Sequence, residues 1–80
     1  MDDSDIMKHI NALVDEEHEL MQRATQGGLD DEEHARLHEL QVKLDQYWDL
    51  LRQRRARREF GLNPDEVQVR DPNIVEHYQQ

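Results

Sequence analysis

Ile6, Ile10, Leu13, Glu17, Leu20 and Ala24 recur at alternating steps of four and three, with Met7, Val14 and Met21 widening the same stripe. A period near 3.6 belongs to an α-helix with one apolar side and not to the alternating pattern of a strand. Leu37, Leu40, Leu44, Tyr47, Trp48 and Leu51 repeat the spacing in a second stretch that meets no Gly or Pro until Gly61. Between the two, Gly27 and Gly28 permit a chain reversal, and Asp30 with Glu33 has the spacing of a capping box that starts a new helix. Helices joined by so few residues pack as antiparallel neighbours. The expected fold is therefore all-α, a two-helix hairpin. Its first helix covers about residues 5–25, capped by Ser4 or Asp3, the turn 26–29 and the second helix about 30–60. At 1.5 Å per residue the arms are unequal, ~30 Å against ~45 Å.

Residues 61–80 read as a tail with local caps. Asn63, Pro64, Asp65 and Glu66 combine an N-cap, an N1 proline and a capping-box glutamate, and Asp71–Pro72 repeats the start of that pattern. Ile74, Val75 and Tyr78 share one face of a short helix over 72–78. Spacing leaves open whether the tail stays unstructured or docks on the hairpin or on another subunit.

Hydrophobic residues make up 35% of the 80 and charged residues 36%, so a lone hairpin has little apolar surface with which to offset the ordering of its chain. Pairing of two copies into an antiparallel four-helix bundle is the expected remedy. The seam residues Leu13, Glu17, Leu20, Leu37, Leu44, Tyr47, Trp48 and Leu51 are its candidate interface. Glu17 stands on the seam itself, where it either faces a partly open stretch or fixes register against a basic or hydroxyl partner. With no Cys, the chain has neither disulfides nor a zinc-finger framework, which fits a reducing compartment. The acidic start and the lack of a ~20-residue apolar run point to a soluble, cytoplasmic protein without a leader or membrane span.

Candidate chemistry is sparse. Ser4 and Thr25 are the only aliphatic hydroxyls and both fall at cap or turn positions, so a nucleophile of that kind is not expected. Gly27, Gly28 and Gly61 form no phosphate loop. His18–Glu19 and His38–Glu39 each begin an HExxH pattern, but Gln22 and Val42 stand where its second His belongs. His34 and His38 have metal-ligand spacing, and His18 could approach them across the hairpin. At 100° per residue, however, His18, His34 and His38 point about 90°, 100° and 140° from their seams, toward solvent. The expectation is a non-enzymatic protein without cofactor or metal, with a histidine–carboxylate metal site as an alternative.

The net charge of -9 is interrupted by one basic block, Arg52, Arg54, Arg55, Arg57 and Arg58. Guanidinium groups bind carboxylates or phosphates in bidentate fashion. Helical angles place Arg55 and Arg58 on the continued seam, Arg52 to one side, and Arg54 and Arg57 to the other. This spread is not a groove-reading stripe. Pairing with Asp2, Asp3 and Asp5 across the antiparallel hairpin, an acidic protein partner, and nucleic acid are the three readings of the block.

The stretch LDQYWDLLRQRRARREFG at Leu44–Gly61, followed by NPDEVQVR and preceded by INALVDEEHEL and HARLHELQVKLD, resembles a family of short actinobacterial proteins known as domain of unknown function 2630. The resemblance covers most of the chain. It implies a two-helix fold and a cytoplasmic bacterial setting, and it transfers no catalytic residue. The function expected is that of an interaction module or small accessory subunit. It uses the arginine-rich helix end and the tail to contact an acidic protein; a small nucleic-acid-associated regulator is the alternative.

Overall fold

The computed structural model describes residues 2–76. Helix α1 spans Asp3–Gly27 and helix α2 spans Asp31–Glu59, packed antiparallel as a hairpin. A 3-10 turn at Pro64–Glu66 and a short helix α3 at Pro72–Glu76 follow, and both lie against α2. The molecule measures 50 × 25 × 18 Å, a slab two helices wide and little more than one helix deep. Tyr78 and the end of the expected 72–78 helix lie outside the described residues.

Local chemistry explains the helix ends. Asp2, rather than Ser4 or Asp3, caps α1: its carboxylate accepts from the Asp5 N–H while the Asp5 carboxylate accepts from the Asp2 N–H. This reciprocal arrangement satisfies two otherwise unpaired donors, which a single Ser4 cap would not do. Asp30 and Glu33 repeat it at the start of α2. Gly28 closes α1 at φ 81° and ψ 176°, a conformation essentially confined to glycine. At the end of α2, Gly61 adopts φ 71° while Leu62 N–H bonds the Arg57 carbonyl and Gly61 N–H the Arg58 carbonyl. Those are the two bonds of a Schellman motif.

Because α1 starts earlier and ends later than the expected 5–25, the arms are less unequal than anticipated. They hold 25 and 29 residues, about one turn apart.

Ile6, Ile10 and Leu20 of α1 are buried against the face of α2 that carries Leu40, Leu44 and Leu51. His9 stacks on Tyr47 with ring centroids 5.4 Å apart, and Arg36 of α2 grips the Glu16 carboxylate through two nitrogens, so register is held by shape and by charge. The α2 seam is rotated relative to the sequence reading. Trp48 is 42% exposed, whereas Leu50 is buried. Arg54 continues the seam and Arg55 is exposed, the reverse of the expected assignment.

The rotation has a cause in the tail. A second stripe of α2, with Gln46, Asp49, Leu50 and Gln53, is covered by residues after Gly61. Val67 packs against the cluster that contains Leu50, and Gln46 and Gln53 donate to the carbonyls of Arg70 and Gln68. Helix α2 thus has two buried sides.

Candidate interaction site

The arginine block sits at the open end of the hairpin, where α2 meets the start of α1 and the tail crosses over. Arg54 is 5% exposed. Its Nε donates to Asp3 Oδ1 at 2.6 Å, and its Nη1 donates to the Pro64 carbonyl at 3.1 Å and to Asp65 Oδ1 at 2.8 Å. Arg58 donates to the other Asp3 oxygen, and Arg57 to Glu66 Oε2 at 3.1 Å. Two guanidiniums on one carboxylate, Arg58 first and Arg54 second, hold Asp3 down from 3.8 to about 2. The Arg54 hydrogen bond likewise lowers Asp65.

Of the three acids expected near this end, Asp3 takes the arginines, while Asp2 and Asp5 cap each other. Arg54, a candidate for partner binding, is instead enclosed by groups of its own chain. Its placement on the seam within reach of Asp3 and the tail is the physical reason. Arg52 lies 4.0 Å from Asp49, and both Arg52 and Arg55 keep exposed positions.

A second charged feature was not anticipated. Asp49 is 2% exposed, and Arg70 clamps it from the tail, Nε to Oδ2 at 2.9 Å and Nη2 to Oδ1 at 3.0 Å, with Gln53 donating to Oδ2 at 3.0 Å. A buried carboxylate is tolerable only when its oxygens are so occupied. The available sequence signal was an acid between two large apolar residues, Trp48 and Leu50, with a lone arginine in an otherwise acidic tail.

The expected oligomer interface divides in two. Leu20, Leu44 and Leu51 are buried within one hairpin, so they are not available to a neighbour. Leu13, Glu17, Leu37 and Tyr47 are half-buried, and no ion pair or side-chain hydrogen bond holds Glu17 among the described residues.

Exposed apolar surface lies elsewhere. Met7, Val14 and Met21, spaced by seven, and Trp48 are 37–51% exposed. At 100° per residue the α1 stripe is turned about 80° from its seam, and Leu37 and Trp48 are turned from theirs in the same rotational sense. In an antiparallel pair that sense puts both stripes on one broad face. The tail occupies the opposite face, where Val69 lines a cavity of about 300 Å³ together with His9, Leu13 and Tyr47.

His18, His34 and His38 are exposed, and among the described residues no three His, Asp or Glu side chains gather as metal ligands. Among the same residues no helix is long and apolar enough to cross a membrane.

Comparison with known proteins places this architecture in a family. The profile described as protein of unknown function (DUF2630) matches residues 2–80. Uncharacterized protein Rv0898c of Mycobacterium tuberculosis and uncharacterized protein Mb0922c of Mycobacterium bovis are each 46% identical to the chain over 77 residues. That span is 95% of this chain and 88% of each relative. No solved structure matches the chain significantly. Matched over nearly its whole length by that profile and by these mycobacterial relatives, the chain belongs to the DUF2630 family.

Proposed function

We propose that this protein is a non-enzymatic protein–protein interaction module, paired with a second copy through its open apolar face and contacting an acidic protein through its arginine end and tail. The observation that carries the reading is the stripe of Met7, Val14, Met21 and Trp48, left exposed on the face the tail does not cover. Both helices contribute to this face, so a two-fold axis would lay it against itself as a four-helix bundle with Leu37 and Trp48 across from the α1 stripe.

A second copy carries the same stripe, so pairing lays like against like. Asn11, His18, Gln22, His34, Gln41 and Arg52 border it, together with the carboxylates of Glu17, between Val14 and Met21, and Asp45, three residues before Trp48.

Light scattering over a range of concentrations tests pairing. The wild-type mass should double with rising concentration, while Val14→Glu, at an exposed position, should stay monomeric with unchanged helicity. A wild-type monomer at every concentration up to the solubility limit would remove the paired bundle. The nucleic-acid reading has less support, because the groups that Arg54, Arg57 and Arg58 hold within the chain are carboxylates and a net charge of -9 repels a polyanion. A steep loss of nucleic-acid affinity with rising salt would restore it.

A further inference from the structure

We infer that the α2 surface formed by Arg54, Arg57, Leu50 and Gln53 is a binding site for an extended acidic peptide segment, and that residues 63–70 of the chain occupy it in cis as an internal stand-in which a partner segment displaces. The inference rests on the arginine end being a contact surface and specifies what that surface recognises.

The internal occupant shows the chemistry. Asp65 and Glu66 place adjacent carboxylates on Arg54 and Arg57. Val67, with extended φ -91° and ψ 153°, packs against the cluster containing Leu50. The carbonyls of Pro64, Gln68 and Arg70 accept from Arg54, Gln53 and Gln46. Side chains of α2 that grip main-chain carbonyls hold an extended backbone whatever its sequence, while the arginines and the apolar floor select an acid–acid–hydrophobic order.

The seating is loose by comparison with the hairpin seam. Cavities of about 300, 270, 240 and 140 Å³ each have a wall formed by residues 60–70. Leu62 and Val69 of the same stretch, and Ile74 beyond it in α3, remain half exposed. Anchored by Val67, the Arg70–Asp49 pair and side-chain hydrogen bonds, but by no backbone–backbone bond to α2 among the described residues, the segment 63–70 opens at a lower free energy than the helices it covers. A shallow cleft of about 270 Å³ beside Val67, lined by Ala56, Phe60 and Leu62 and open to solvent, offers apolar surface that a longer side chain than valine would cover. The favoured partner therefore carries two acids followed by a bulkier aliphatic residue.

The test uses the full chain as wild type and as the double substitution Asp65→Ala/Glu66→Ala, which loosens the tail without touching the site. The probe is a fluorescent synthetic peptide with the sequence of residues 62–72, read by anisotropy. Tryptic cleavage after Arg70, which requires the segment to lift from α2, is followed on the same proteins without peptide. The double substitution should be cut there faster and bind the peptide about tenfold tighter than wild type, because apparent affinity falls with the fraction of molecules whose site is open. A Val67→Leu peptide should bind more tightly still, and a peptide with Asp65→Lys and Glu66→Lys should not bind.

Unchanged cleavage after Arg70 in the double substitution would overturn the latch. A released tail that leaves the peptide unbound would overturn the site. Light scattering of the same samples reports on the open apolar face separately, so loss of pairing is distinguishable from failure of this site.

Discussion

Replacing Arg70 by Ala should loosen the tail more than any other single change in it. Asp49 is 2% exposed, and Arg70 supplies two of its three short hydrogen bonds. Removing one member of a buried ion pair costs about 3–5 kcal/mol when the remaining charge stays buried. Here Gln53 still donates, and the tail can lift so that water reaches the carboxylate. Release of the tail therefore caps the loss, and about 2–3 kcal/mol is expected, or roughly 30- to 150-fold faster cleavage after Glu66 by a glutamate-specific protease at 1.4 kcal/mol per factor of ten.

Asp49→Asn removes the charge that has to be compensated and keeps the shape, so it should cost only about 1 kcal/mol. The Asp49→Asn/Arg70→Ala double substitution should then be more stable than Arg70→Ala alone. Urea unfolding followed by circular dichroism gives global stability, and the rate of cleavage after Glu66 gives the local value. Strictly additive effects of the two substitutions, or unchanged cleavage in Arg70→Ala, would refute the clamp as the element that seats the tail.

Three further outcomes are expected. Gly28→Ala should cost about 1–3 kcal/mol in thermal or urea unfolding. The site has open space for a Cβ, so the penalty comes entirely from a backbone at φ 81° and ψ 176°. Leu40→Ala, at a fully buried position, should cost about 2–5 kcal/mol in urea, while Trp48→Ala should change unfolding of dilute protein far less and weaken self-association instead.

Asp3 is held at about 2 by Arg58 and Arg54, so it contributes stability above the ordinary value of 3.8 that is lost as pH falls from about 4 toward 2. Its side chain is 39% exposed, and solvent screening limits the contribution to about 1 kcal/mol. Asp3→Asn should flatten that part of the acid unfolding curve, which titration by circular dichroism will show.

What the amino-acid order by itself determined is whatever depends on neighbours in sequence. The two amphipathic periods, the Asp30–Glu33 capping box, the glycine break at 27–28 and the acids and arginines that meet at the open end all rest on interactions within a few residues or on a simple antiparallel fold-back. The choice of which α2 residues face inward was decided by tertiary structure. Trp48 and Leu50 lie on opposite flanks of one apolar stripe, and periodicity assigns either to the core. The tail breaks the tie by covering Leu50, Asp49 and Gln53, which turns Arg54 inward and leaves Trp48 exposed with the Met7–Met21 stripe. That docking depends on Arg70 reaching Asp49 across 21 positions of sequence. An ion pair of this kind carries no periodic signature, because its geometry exists only once the chain has reversed at Gly61 and laid the tail back along the helix.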